Sequence, residues 1–496
     1  MNTKGFKRNI AWGRDKNNPI LPPVKDSDFG INVCMNPHVI RRDDKYYMYY
    51  AGDFEDGRKK ICLATASVDN LSKWERQGPL FENGSKGEFD SHWCVLPHII
   101  QMDENLWYMY YTGNNGDDGG SKNSLKSFPG IGLAISKDGI HWEKYDKNPV
   151  LAASGIDGDD DAIGVAGGSV IKTVLDDGKV QYHFYYTGCP STGDDYFLHQ
   201  QKRCCLAVSE DGINWEKKGA VFKRHPDHDY ENVAVAGPVV MKDDDGLYRM
   251  WYSAIGTRWG YYSICYAESE DGINWFRGNY YGENLQIGPD LGPLTTGYHD
   301  VRWDSQMAAY PSIIKEGKKY RLFYSGNGYG AGGIGTAVSH PLRVEPLINT
   351  GCKVRVTSHE LGKSWFIRIP DVLVCDEGVI IGDKKPNIDW KGPDPDCNIW
   401  YEWENEIMKI GIRVILLHKE DGIIIRFAII NNSDTTLHNL KLGALLIPSE
   451  GTSQVGISWE SSSESCSNVN STNPHTILKQ LNARQIATVC GKIRLL

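Results

Sequence analysis

Ile131-Gly132-Leu133-Ala134-Ile135-Ser136-Lys137-Asp138-Gly139-Ile140-His141-Trp142, continued through Asn148-Pro149-Val150-Leu151, reads as strand, Asp-Gly turn, strand, and it recurs along the chain. Copies run from Ser209 to Trp215 and from Ser269 to Trp275, with a weaker one from Ser67 to Trp74. Glycine after aspartate supplies the positive φ of a tight hairpin turn, and the tryptophan opens the next strand with a large apolar face. A hairpin repeated at a near-constant interval marks a repeat architecture.

Each hairpin is preceded by another strand pair. In the second copy these are Leu96-Pro97-His98-Ile99-Ile100 and Leu106 to Gly113; in the first, Asn36-Pro37-His38-Val39-Ile40 and Tyr46 to Gly52. The third has Gly167 to Ile171 with Phe184 to Gly188, the fourth Gly237 to Val240 with Met250 to Ser253, the fifth Tyr310 to Ile314 with Leu322 to Gly326. Each unit of about 60 to 70 residues therefore reads as a four-stranded antiparallel meander, the make-up of a propeller blade. The fifth unit lacks its last strand. Trp12, followed by Asn18-Pro19-Ile20-Leu21, has the spacing of Trp142 followed by Asn148-Pro149-Val150-Leu151, so the N-terminal strand is expected to complete the fifth unit and close the ring. From about Arg343 the repeat stops and alternating apolar runs suggest a sandwich. The expected fold is all-β: a five-bladed propeller over residues 1–342 and a β-sandwich over 343–496, with a short helix expected only near His475 to Leu481.

The 26 Tyr, 15 Trp and 53 Gly of these 496 residues suit many short strands and tight turns. A net charge of -9 without a Lys/Arg block argues against a nucleic-acid partner. No apolar run approaches a membrane span, and the start lacks the apolar stretch of a signal peptide, so a cytoplasmic protein is expected. The 12 Cys form no CxxC pairs and read as buried free thiols. No metal or cofactor is expected; the run Asp157, Asp159, Asp160, Asp161 lacks the spacing of a Ca²⁺ loop, which leaves a structural Ca²⁺ open.

Aligning the five first strands places an acid seven residues before the Pro or Gly in four units: Asp90, Asp161, Glu231 and Asp304, with Gly30 in the first. Such acids either cap the turn leading into each strand or converge as the carboxylate pair that glycosidic hydrolysis requires. Glu231 is the favoured proton donor. Asn36, His38, His92, Trp93, His98, Arg258, Tyr310 and Asn327 lie at strand starts or after second strands, where a propeller funnel binds its ligand. Trp93, Trp259, Tyr298 and Trp303 could stack on sugar or pack between blades.

The Ser-x-Asp-Gly-x-x-Trp repeats, the Tyr-Tyr-Thr-Gly strand ends and Asn17-Asn18-Pro19-Ile20-Leu21 resemble the five-bladed propeller glycoside hydrolases, the group containing families 32, 43, 68, 117 and 130. The resemblance spans roughly residues 10 to 340 and implies a carbohydrate substrate. It also implies an Asp directly before the strand Pro of blades one and three and a Glu before that of blade four. Here Asn36, Gly167 and Ala236-Gly237 stand instead. Asn36-Pro37 is similar to the Asn-Pro of family 130, whose later Asp-Pro-Arg is replaced by Leu96-Pro97-His98. Either the carboxylates moved to the four aligned acids, giving a hydrolase of a small oligosaccharide or sugar conjugate, or the propeller binds sugar without cleaving it, or it serves a lyase or transferase.

Overall fold

A computed structural model of the chain describes residues 11–15, 17–25, 30–117, 128–175, 177–191, 201–228, 230–257, 262–277, 303–304 and 306–340. Beyond these it describes 342–347, 353–358, 363–368, 373–381, 399–404, 407–416, 422–443, 445–448, 455–461, 466–467 and 475–495. These residues are all-β apart from one four-residue helix, α1 (Asn327–Gly330). Among them no helix is long and apolar enough to cross a membrane. The expected helical segment near His475 is a strand, His475–Leu481, because it pairs along its length with Leu437–Gly443.

The chain begins with β1 (Ala11–Arg14). Unit one is β2 (Cys34–Arg42), β3 (Lys45–Asp53), β4 (Lys59–Ser67) and β5 (Glu75–Pro79). Unit two is β6 (Trp93–Asp103), β7 (Leu106–Asn114), β8 (Gly130–Ser136) and β9 (Glu143–Lys144), with β10 (Leu151–Ala152) returning to β8. Unit three is β11 (Gly164–Val174), β12 (Val180–Cys189), β13 (Arg203–Ser209) and β14 (Glu216–Phe222). Unit four is β15 (Ala234–Lys242), β16 (Tyr248–Ile255), β17 (Tyr262–Ser269) and β18 (Trp275–Arg277); β19 (Ala309–Glu316), β20 (Lys319–Ser325) and β21 (Ile334–His340) follow. β1 pairs antiparallel with β21, so the fifth sheet is β1-β21-β20-β19. The amide of Asn18 exchanges two bonds with the Thr336 backbone, as that of Asn148 does with Leu133, which is the same fixture at both ends of the repeat. Units one and two merge into one nine-stranded sheet through a parallel bridge between Lys59 and Trp93.

The first strands β2, β6, β11, β15 and β19 touch in that order, and β19 touches β2 again. Apolar cores lie between neighbours: Tyr49 and Leu63 meet Met109 and Trp142, Tyr110 and Leu133 meet Phe184, and Leu206 meets Val240 and Tyr252. Trp251 meets Leu322 and Trp12, and Phe323 and Ile334 meet Met48 and Leu21. Burying apolar surface between units therefore fixes the ring as well as each sheet. Seven described cysteines are buried free thiols, and burial pushes that of Cys62 up to about 12.

The Asp-Gly turns lock neighbours together. Asp138 Oδ1 accepts N–H bonds from Ile140 and His141, and Gly139 has φ 74°; Asp211 and Asp271 repeat this at Gly212 and Gly272. Tyr49, Tyr110 and Tyr185, each on the second strand of the preceding unit, donate their hydroxyls to the Gly139, Gly212 and Gly272 carbonyls at 2.6, 2.7 and 3.1 Å.

The four aligned acids have structural partners within their own units. Asp90 takes the Tyr111 hydroxyl at 2.9 Å and Lys144 Nζ at 2.6 Å; Asp161 takes Tyr186 at 2.9 Å and Lys217 at 2.6 Å. Glu231 takes Tyr252 at 2.9 Å, His228 Nδ1 at 2.8 Å and the Arg277 guanidinium. Asp304 takes Tyr324 at 2.9 Å and Arg14 Nε at 2.8 Å. Each carboxylate is buried and joins the segment leading into a first strand to the second strand and the outermost strand of one sheet. In unit one no acid could stand at Gly30, whose φ is 112° and where a Cβ would lie 2.7 Å from the Val33 carbonyl oxygen. Arg76 there bonds the Pro22 carbonyl oxygen and Cys34 Sγ instead.

Two outcomes follow. Asp304→Asn should lower unfolding free energy by about 3–5 kcal/mol, the usual loss on breaking a buried ion pair, while Arg14→Met with Asp304→Leu should recover much of it; denaturant titration measures both. For the turns, hydrogen bonds overcome burial and hold Asp211 down at about 2. A folded pKa below the unfolded one gives stability that is complete above the ordinary carboxylate range and lost as pH falls through it, so melting temperature should drop from pH 5 toward pH 2, and less so in Asp211→Asn.

Candidate functional site at the axial mouth

Every first strand carries a register slip at the aligned position: between Met35 and His38, Val95 and His98, Ala166 and Ser169, Ala236 and Val239, and Ala309 and Ser312. These are β-bulges, which re-aim a strand where its pairing is interrupted. Asn36, Leu96 and Tyr310 sit in them at φ 56°, 53° and 56°, a region that side chains disfavour. Neighbouring hydroxyls hold the strained backbone: Asn36, Gly167, Gly237 and Tyr310 donate their N–H groups to Ser325, Thr112, Thr187 and Ser253 at 2.7–2.9 Å. Each hydroxyl belongs to the second strand of the preceding unit, and unit one offers Ala51 at that place. Unit three has glycine where the others have proline because a Cβ at Gly168 would lie 1.8 Å from the Tyr185 carbonyl oxygen.

The five bulges converge on a cavity of about 30 Å³ lined by Asn36, His38, Leu96, Pro97, Gly168 and Tyr310 among others. A water needs roughly 10–15 Å³ on this measure, so the cavity has room for water. Asn36 Oδ1 is buried without a hydrogen-bond partner. His38 and His98 meet edge to face with ring centroids 4.5 Å apart, and His98 Nε2 donates to the Val170 carbonyl at 3.1 Å. Burial, and then His98, holds His38 well below its ordinary range; burial lowers His98 to about 4. Both are neutral wedges between first strands.

Among the described residues no carboxylate lines this cavity. The structure therefore does not bring Asp90, Asp161, Glu231 and Asp304 together there; it distributes them among four sheets, each bound to a tyrosine and a base. The signal for this was in the sequence: Lys144, Lys217, Arg277, Arg14 and Arg76 each stand two residues after the repeat tryptophan.

Two expected substrate ligands are already occupied. Asn327 Oδ1 accepts the Gln306 and Met307 N–H groups at 2.7 and 2.9 Å, so it fastens the segment before β19. Trp93 has His92 stacked at 5.2 Å and Lys59 Nζ 3.8 Å over its ring. Asp53 accepts from Asn32 and Val33, and Trp303 packs on Tyr324. In the acidic run Asp160 pairs with Arg203 Nη1 at 2.6 Å and accepts from the Ala220 N–H. Arg258, Trp259 and Tyr298 lie outside the described residues.

Two uncharacterised proteins of Mycobacterium tuberculosis, one from each of two strains, are 29% identical to this chain over 301 residues, covering 60% of it and 88% of each relative. A solved glycoside hydrolase is 20% identical at TM-score 0.47, covering 64% of this chain and 89% of its own. Another structure, from work on the GH130 family of mannoside phosphorylases containing glycoside hydrolases that target beta-1,2 mannosidic linkages in Candida mannan, is 18% identical at TM-score 0.48, with coverage of 67% and 95%. A thermostable family-43 glycoside hydrolase is 20% identical at TM-score 0.44, with coverage of 64% and 92%. Residues 32–162, which build units one and two, match the glycosyl hydrolases family 32 N-terminal domain. Over those residues the chain is similar to the N-terminal domain of family 32 glycosyl hydrolases.

Proposed function

We propose that residues 1–342 form a five-bladed propeller, that residues 343–496 form an accessory β-sandwich, and that the protein acts on a glycosidic bond in a small oligosaccharide or sugar conjugate at the axial mouth. The closed sequence of touching first strands and the cores between all five neighbours support the propeller. Three antiparallel sheets after residue 341, two of them five-stranded and joined by Asn431 Nδ2 donating to the Leu481 carbonyl at 3.1 Å, support the second domain. The observation that carries the activity is the family 32 match over the residues that build the first two bulges of the mouth.

Asn36 stands where the superfamily resemblance implies a catalytic aspartate, and it lines the cavity that the bulges enclose. It can accept a hydrogen bond from a ligand hydroxyl or a bound water, and it cannot act as nucleophile or acid. A second reading, sugar capture without cleavage, is favoured by the four acids, each already paired within its own sheet.

Purified protein incubated with a panel of di- and oligosaccharides and aryl glycosides, with products separated by chromatography and binding followed by calorimetry, distinguishes the readings. The expected result is sugar release that falls at least tenfold in Asn36→Gly, which keeps the positive φ and the melting temperature. Binding without release selects the capture reading. Neither binding nor release rejects both, and a Glu231→Gln variant that keeps its stability but loses turnover would return that acid to catalysis.

A further inference from the structure

Lys59 differs from four other part-buried lysines of the ring. Lys144, Lys217 and Lys315 each have a carboxylate at bonding distance, and Lys60, one residue on, pairs with Glu82 at 2.7 Å. Lys59 has no ion pair among the described residues; its Nζ lies 3.8 Å over the Trp93 ring. Asp53, its cross-strand neighbour, is turned to the backbone N–H groups of Asn32 and Val33 and to Asn32 Nδ2. Beside it His92 stacks on Trp93, and Arg58 adds a second positive charge, itself 3.6 Å from Asp56 and half exposed.

The position of this group is set by the fold. Lys59 opens β4 and bridges to Trp93, which opens β6, at the seam of units one and two. Trp93 packs with Leu96 and Met35, and Leu96 lines the axial cavity. An ammonium is therefore held at the rim of the mouth, two side chains from its floor. Burial lowers the Lys59 pKa against the field of Asp53, and burial followed by the charges of Lys59 and Arg58 lowers that of His92. An anion arriving here would relieve both effects and gain a charge-assisted bond.

We propose that the seam between units one and two is a subsite for the anionic group of an acidic sugar, a carboxylate or a phosphate, with Lys59 as its counter-charge and His92 as a second donor. This rests on the carbohydrate reading above. Lys59 is a specificity residue in this scheme and touches no reacting atom.

Calorimetry at low ionic strength on the full chain should use four probes: glucose, glucuronic acid, glucose 6-phosphate and inorganic phosphate. The expected result is at least tenfold tighter binding of one of the acidic sugars than of glucose. That advantage should shrink as salt is added and as pH rises through the lowered Lys59 pKa, and it should vanish in Lys59→Met while glucose affinity and melting temperature stay unchanged. The stronger of the two acidic sugars identifies the anion, and inorganic phosphate binding as tightly as glucose 6-phosphate would overturn the sugar subsite. Equal affinity for neutral and acidic sugars, or an acidic preference that survives Lys59→Met, overturns this inference and leaves the carbohydrate reading standing. No binding of any sugar removes both.

Discussion

A buried carboxylate shared by a tyrosine hydroxyl and a lysine or arginine is the fixture on which the ring depends. Asp90, Asp161, Glu231 and Asp304 each sit where the chain turns into a first strand, and each reaches across its own sheet to the second and outermost strands. Such a pair adds little net stability against an apolar substitute, but losing one member leaves a charge stranded in the interior, so the geometry is strictly specified. At Arg14 burial alone would disfavour the charge, and the field of Asp304 outweighs it and raises the pKa. The outermost strand of the fifth sheet comes from the far N-terminus, so this one contact joins residues 290 positions apart in sequence.

Around these fixtures, bonds between neighbouring units set the mouth. Hydroxyls at the ends of second strands support strained bulges in the next unit, and tyrosines one layer further out support the Asp-Gly turns. Positive φ at Asn36 and Tyr310 is tolerated because a hydroxyl of the preceding unit holds each backbone N–H. The result is a narrow and rigid floor to the mouth, with backbone and neutral side chains facing the axis. A site built on packed strands holds its geometry better than one built on loops.

That floor belongs to the architecture and not to one chemistry. The bulges, turns and fixtures that carry the resemblance are needed to close a ring, whatever chemistry the ring performs. Two neutral histidines occupy positions between first strands, and the charge at the mouth sits off the axis, at the seam where Lys59 and Trp93 join two sheets into one.

The amino-acid sequence by itself determined the repeat, the hairpin turns, the buried thiols and the return of the N-terminal strand, because period, turn chemistry and Trp-to-Pro spacing are local properties of the chain. The alignment of an acid seven residues before each first strand was also legible, and so was a base two residues after each tryptophan. Their pairing was not, since the two lie on opposite edges of a sheet and only the folded register brings Lys144 to Asp90 or Arg14 to Asp304. His475–Leu481 became a strand for the same reason: partner strands decided what propensity left open. Tertiary structure alone decided that the aligned acids pair within their own sheets, that Asn36 lines the axial cavity, and that Lys59 has no ion pair among the described residues, because each is a relation between segments distant in sequence.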